Sequence, residues 1–346
     1  MFDHPSYDAH EGVHMFHDAP SGLRAIIAVH STALGPAAGG CRMMKYATGE
    51  AMLKDALRLS QGMSYKNAMA DLPLGGGKAV IWGDSKADKS PDLFRAFGRA
   101  VASLNGTYYT AEDVGIDVAD MEIVRQETEF VAGLDHGAAA SGDPSPITAT
   151  GVFRGILETA RRAFGTDDLT TRTIAVQGVG SVGAHTCDFL AKAGATLVIT
   201  DIDQAALKAV AARTGARIVA PDDIYDVEAD IFSPNALGAV VNEQTLERLK
   251  VKAIAGAANN QLVMPEMGEL LRRKGILYAP DYVINGGGII NVAAEISGNY
   301  SRDWVDSKLD RLMETLGAVL DEALAQDKPT NEVADRIARQ RIADAR

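Results

Sequence analysis

The sequence predicts an α/β protein of two domains. A strand, a glycine turn, a helix and a second strand follow one another from Thr173 to Asp203, and a long stretch of alternating strand and helix signals precedes them. The chain has 346 residues, 47% of them hydrophobic, which is enough for two cores.

In chain order, Gly22–Ser31 (GLRAIIAVHS) reads as a strand from its β-branched content. Glu50–Gly62 has helical spacing, with Met52, Leu53, Ala56, Leu57 and Leu59 on one broad face. Asn67–Trp82 ends in a strand-like run, Ala79–Trp82, after a glycine-rich turn. Ser90 caps a helix whose first residue is Pro91 and whose buried stripe is Phe94, Phe97 and Val101. Tyr108–Thr110 is a short strand, and Val118–Phe130 a helix. Gly133–Pro146 is rich in Gly, Ala, Ser and Pro and reads as a linker. A long helix over Thr148–Phe164 leads into the second domain.

There, Thr173–Val176 is a β-branched strand and Gly178-x-Gly180-x-x-Gly183 opens a helix. A second strand, Leu197–Thr200, ends at Asp201. The first glycine permits the tight turn, the second lets backbone approach a pyrophosphate, and the third lets helix and strand pack closely. The free N–H groups at the helix start suit the pyrophosphate. Asp201 is placed to accept from ribose hydroxyls and to repel a 2′-phosphate. This is a Rossmann-type dinucleotide site, with NAD as the expected cofactor. Short strands at Asp230–Pro234, Ala253–Gly256 and Gly275–Tyr278 continue the domain, and the chain is helical from about Trp304.

The formal charge is −12 with no basic block, which argues against nucleic acid as a partner. Cys41 and Cys187 have no metal-type spacing and suggest a reducing cytoplasm without disulfides. The N-terminus lacks signal-peptide character, and no apolar run is long enough to span a membrane. His10-Glu11-Gly12-Val13-His14 matches a zinc-protease pattern with His17 beyond it. That chemistry needs a helix, which Gly12 weakens at a chain end, so no metal is expected.

Further chemistry needs a substrate site, and Lys66, Lys78 and Asp113 are the candidates, each weak alone. Gly75–Lys78 lacks the spacing of a phosphate-binding P-loop. The stretches GLRAIIAVHSTALGPAAGGCRM, LPLGGGKAVIWGD, TAEDVG, QGVGSVG, AGAANNQL and YAPDYVINGGGIINVA, spanning most of residues 20–340 in order, resemble the amino-acid dehydrogenases that act on glutamate, leucine, phenylalanine and valine. The resemblance implies oxidative deamination of an L-amino acid to a 2-oxo acid and ammonium. Lys66 would then grip the substrate carboxylate. Lys78 would activate water, its amine freed by burial and a neighbouring cation, and Asp113 would exchange protons with the amino group. Gly39 and Gly40 would lie against the substrate, where a side chain would intrude. Thr148 and Asn260 would hold the nicotinamide carboxamide, with Asn259 left open as an alternative.

The resemblance also implies a substrate-binding and oligomerisation domain over 1–135 and an NAD-binding domain over 136–327, separated by a cleft. A C-terminal helix at about 328–346 is expected to pack back on the first domain. Family members are oligomers, and an octamer follows by analogy. Ala38 stands where glutamate enzymes carry a lysine, so a glutamate side chain would be stranded unpaired. Ala111, Ile289 and Val292 suit a branched aliphatic side chain (leucine, valine or isoleucine), while the space at Ala38 looks like that of phenylalanine enzymes. A non-catalytic NAD or amino-acid sensor would have lost a cleft residue. A 2-hydroxy-acid dehydrogenase would need a catalytic histidine, for which His30, His136 and His185 have no matching context.

Overall fold

The computed structural model describes residues 2–134, 143–298 and 300–346. Most of the predicted linker, 135–142, and His136 within it, lie outside the described residues. By Cα proximity the chain divides into two compact units. Met1–Asp143, Ile289–Val305 and Ala338–Arg346 form the first, and Pro144–Gly288 with Asp306–Ile337 the second.

The N-terminal elements are β1 (Gly12–Asp18), β2 (Leu23–Ser31), β3 (Ala37–Ala38), β4 (Cys41–Met44), α1 (Gly49–Met69), β5 (Gly75–Trp82), α2 (Pro91–Ala102), β6 (Tyr108–Tyr109) and α3 (Val118–Arg125). They build a mixed sheet in the order β1-β2-β5-β3-β6, with β4 also on β5. Strand alternation sends Leu23, Ala25, Ile27, Cys41, Met43, Ala79 and Ile81 to a core with Phe94, Phe97, Met121 and Val124 of α2 and α3. Ile26, Ala28 and Val80 go to the opposite face, against Met52 and Ala56 of α1. Both faces are therefore covered. Helix α1 is capped by Thr48, whose hydroxyl accepts from the Ala51 N–H, and runs well beyond the predicted Gly62. Ser90 caps α2 with Pro91 in its first turn, as the sequence predicts.

One local expectation changes. Gly75–Gly77 is not a turn but the buried start of β5. A Cβ on Gly75 would sit 2.0 Å from the Ser31 carbonyl oxygen, one on Gly76 2.0 Å from the Ser64 nitrogen, and one on Gly77 2.6 Å from the Tyr108 ring. Close packing on three sides, rather than a turn, requires the glycines.

The remaining elements are α4 (Ser145–Phe164), β7 (Thr173–Gln177), α5 (Ser181–Lys192), β8 (Thr196–Thr200), α6 (Gln204–Thr214), β9 (Arg217–Ile218), β10 (Ile231–Pro234), α7 (Glu243–Arg248), β11 (Ala253–Ile254), α8 (Met267–Arg273), β12 (Leu277–Tyr278), α9 (Asp281–Ile284), α10 (Gly287–Ile296), α11 (Arg302–Gln326) and α12 (Thr330–Asp344). The six strands of the second unit pair in the order β12-β11-β10-β7-β8-β9, all parallel. Successive strands leave β7 in opposite directions, so the order reverses between β7 and β10. A doubly wound sheet binds its ligand at such a switch point, beyond the carboxyl ends of the strands. The turn after β7 is the glycine turn of the sequence.

Candidate active site

In the first unit, β4 is hydrogen-bonded on its far side to the segment after β6. The Cys41 N–H donates to the Ala111 carbonyl (2.7 Å) and the Met43 N–H to that of Val114 (2.9 Å). On its near side Cys41 pairs with Ala79 and Arg42 with Val80 of β5. Cys41 and Ala79 share the α2/α3 core, so alternation turns Arg42 and Lys78 toward the α1 face. Lys78 is 6% exposed. Its Nζ donates to Asp113 Oδ2 at 2.5 Å, and Arg42 Nε donates to the same oxygen at 3.2 Å. Burial alone would raise the Asp113 carboxyl, but the charges of Lys78 and Arg42 outweigh it and hold the group down at about 2. Asp113 is thus a carboxylate throughout the working range, matched by the buried Lys78 and the half-buried Arg42.

Lys66 lies half-buried in the last turn of α1, the helix whose Ser64 packs on Gly76 of β5. Ala38 is buried in β3 and pairs with Gly76, and Ala111 is also buried. Ile289 and Val292 are half-buried, one turn apart on α10. One further turn along, the Glu295 carboxylate accepts from the Gly133 N–H at 2.6 Å. A Cβ built on Gly133 would contact the Ala111 methyl at 3.8 Å. This link, which sequence reasoning missed, brings α10 to the Ala111 segment.

Gly39 and Gly40 also have a reason within the fold. A Cβ on Gly39 would stand 1.9 Å from the Gly77 carbonyl oxygen, and one on Gly40 2.5 Å from that of Glu112. The protein's own neighbouring strands exclude side chains there, before any substrate does. Arg42 was also missed. Its signal was a charged residue between the apolar neighbours Cys41 and Met43, a position that inside a strand calls for a partner.

The glycine turn of the second unit has three distinct geometries. Gly178 has φ +96°, and a Cβ there would lie 2.7 Å from that of Ala236. Gly180 has open space where its Cβ would be, and no side chain caps α5 at this residue. A Cβ on Gly183 would lie 2.1 Å from the Gly178 carbonyl oxygen. The open middle position and the uncapped N–H groups fit a pyrophosphate. Asp201, half-buried after β8, accepts from the Val179 N–H (2.6 Å) and the Asp203 N–H (2.9 Å), one on each oxygen. A carboxylate has about four acceptor positions, so two backbone bonds leave room for ribose hydroxyls.

Thr148 is in the first turn of α4, its hydroxyl donating to the Pro144 carbonyl at 3.0 Å. A Cβ on Gly288 would stand 2.9 Å from that hydroxyl. Asn260 is exposed with φ +52°, a left-handed conformation. Its neighbour Asn259 has its amide oxygen taken by Asn285 Nδ2 at 2.7 Å.

The N-terminal histidines make no zinc-protease helix. His14 and His17 lie three residues apart on β1 and so face opposite ways. His10 Nε2 lies 3.0 Å from the Leu57 carbonyl oxygen and 3.1 Å from Ser60 Oγ. His30 is buried, with Ser64 and Asp8 at its two ring nitrogens. Burial and the nearby His10 push it down to about 4, so it is a neutral packing residue. Among the described residues no group of three or more His, Cys, Asp and Glu could hold a metal, and no helix is long and apolar enough to cross a membrane.

Two family models match the chain. One, Glu/Leu/Phe/Val dehydrogenase, dimerisation domain, covers residues 10–130. The other, Glutamate/Leucine/Phenylalanine/Valine dehydrogenase, covers 199–346. A leucine dehydrogenase of Geobacillus stearothermophilus is 50% identical over 97% of this chain and 91% of its own length. A phenylalanine dehydrogenase of Bacillus thermotolerans is 47% identical over 96% and 88%. The crystal structure of L-tryptophan dehydrogenase from Nostoc punctiforme, 42% identical, superposes with a TM-score of 0.85 over 97% of both chains.

Proposed function

The chain belongs to the Glu/Leu/Phe/Val dehydrogenase family, and on that footing we propose that it oxidatively deaminates a branched-chain L-amino acid, with leucine first among leucine, valine and isoleucine, to the 2-oxo acid and ammonium. It is an amino-acid dehydrogenase and requires a nicotinamide cofactor. We read that cofactor as NAD. The observation that carries the catalytic reading is the pair of buried Lys78 and half-buried Asp113, with its shared oxygen turned to Arg42.

In this reading Lys66 binds the substrate carboxylate as a point charge. Asp113, ionised on entry, takes a proton from the substrate ammonium, which frees the amine lone pair. The bound nicotinamide supplies the acceptor for the hydride that leaves Cα. Lys78, once its ammonium has released a proton to solvent, takes a proton from a water as it adds to the iminium carbon, and returns it as the carbinolamine breaks to oxo acid and ammonia. Burial of the lysine keeps bulk water from competing.

Gly178, Gly180 and Gly183 would cradle the pyrophosphate and Asp201 the adenosine ribose. Thr148 and Asn260 would meet the carboxamide. The bond from Asn285 to the Asn259 amide oxygen favours Asn260. Asp201→Ala is expected to weaken NAD binding about tenfold or more and to narrow the gap to NADP. An NAD Kd unchanged by fluorescence titration would remove Asp201 from the site.

The preference for leucine rests on Ala111, Ile289 and Val292, with buried Ala38 as the counterweight. It is tested by NADH formation from a panel of L-amino acids. We expect kcat/KM for leucine to exceed that for phenylalanine by about tenfold or more, within the range that methylene-scale differences allow. A phenylalanine preference would transfer the assignment to the aromatic branch, for which the 47% identical phenylalanine dehydrogenase speaks. Absence of turnover with every amino acid would overturn the reading. The match to a dimerisation domain supports a homo-oligomer, with an octamer as the proposed size. Two buried free cysteines support a cytoplasmic setting.

A further inference from the structure

The Lys78–Asp113 pair is one end of a longer polar chain. Arg42 Nε donates to Asp113 Oδ2 at 3.2 Å, and Arg42 Nη1 points to Asp55 Oδ2 at 3.4 Å. Tyr46 Oη donates to that same Asp55 oxygen at 2.8 Å. Arg42, Asp55 and Asp113 keep 18%, 26% and 21% of their side-chain surface exposed. The order is cation, anion, cation, anion, and then a phenol. The four charges sum to zero, so none is left without a counter-charge in a poorly solvated place.

In turnover Lys78 must leave Asp113 for the reacting water, and Asp113 must give up part of its attention to the substrate ammonium. Without Arg42 the carboxylate would then lose its counter-charge and be held by the Val114 backbone N–H alone, about which it could turn. Arg42 does not leave, because its planar fork is tied at the other side to Asp55 on α1 and its backbone to β5. We propose that Arg42 is a positioning residue for this reaction: anchored on Asp55, it holds the Asp113 carboxylate in its reactive orientation while Lys78 serves the substrate. Tyr46 completes the anchor by fixing Asp55. The inference rests on the reading of Asp113 as the proton-exchanging group.

The test is steady-state kinetics of L-leucine oxidation for Arg42→Leu, Arg42→Lys, Asp55→Asn and Asp113→Asn. Dinucleotide affinity and thermal denaturation serve as folding controls. Arg42→Leu is expected to lower kcat by about 30-fold or more and to change KM for leucine less than about threefold, since misorientation of a proton-transfer group costs rate rather than binding. Its solvent deuterium isotope effect on kcat is expected to rise, because proton transfer becomes slower. Arg42→Lys restores part of the rate by restoring the charge without the fork. Asp55→Asn, which leaves Arg42 in place, is expected to cost about fivefold with the same isotope signature.

A kcat within threefold of wild type in Arg42→Leu would overturn the inference. So would a loss confined to KM, or an unchanged isotope effect. If Arg42→Leu does not fold, Asp55→Asn decides by the same criteria. An inactive Asp113→Asn beside normal Arg42 and Asp55 variants would sink the positioning role alone. Normal turnover in Asp113→Asn would sink the proton-exchange reading and this inference with it.

Discussion

Lys78→Ala is expected to lose about a thousandfold or more in kcat while its dinucleotide Kd stays within about twofold of wild type. Positioned acid–base groups contribute roughly 10²–10⁴-fold, and here the same amine also neutralises the carboxylate that exchanges the other proton. Alanine leaves Asp113 with Arg42 as its remaining cationic partner and opens a void where a buried four-carbon stem lay on β5. The void costs some stability, so the comparison is made well below the variant's melting temperature. The glycine turn draws on none of the atoms that hold Lys78, which is why cofactor affinity is the internal control. A kcat within tenfold of wild type would remove Lys78 from the chemistry. A matched loss of dinucleotide affinity would point instead to general unfolding.

Gly39→Ala should be the most disruptive single methyl in the first unit. Its Cβ would lie 1.9 Å from the Gly77 carbonyl oxygen and 3.0 Å from the Met63 side chain. A carbonyl in a sheet cannot rotate aside, so β3 or β5 must shift. Gly39 is held on its other side by the bond from its N–H to the Tyr109 carbonyl (3.1 Å). Any shift of β5 carries Lys78 with it. Overpacking of this kind costs about 1–3 kcal/mol and occasionally more, and both stability and kcat/KM are expected to fall. If the glycine served only to admit substrate, the variant would denature like wild type and show a higher KM alone. Chemical denaturation beside leucine kinetics separates the two.

The parts of this protein that could be read from sequence are those whose physical reason is local. Gly178, Gly180 and Gly183 serve a turn, an approach and a packing contact within six residues of one another, and the pattern carries all three. The two-domain α/β class followed from alternating elements for the same reason, and the Ser90–Pro91 start of α2 was written in two adjacent residues. The reasons for Gly75–Gly77 lie in Ser31, Ser64 and Tyr108, far along the chain. A glycine run that looks locally like a turn is therefore a strand. Lys78 and Asp113 came together only through resemblance, since nothing in their own neighbourhoods announces a partner thirty-five residues away. The charge at Arg42 between two apolar neighbours announces a partner but not which one, because register pairs it with Val80 and aims it at a carboxylate seventy-one residues on.

The turn that awaits the cofactor is held by the same carboxylate that would choose it. Asp201 ties down the Val179 and Asp203 N–H groups, so in the proposed reading one side chain would serve both as architecture and as the test for a bare ribose. Drift toward the phosphorylated cofactor is thereby obstructed. A replacement that welcomes a 2′-phosphate also cuts two backbone anchors, and a lineage making that change would need a second substitution to re-knit the turn. On the proposed reading, a full switch of cofactor preference would carry a cost in the turn itself.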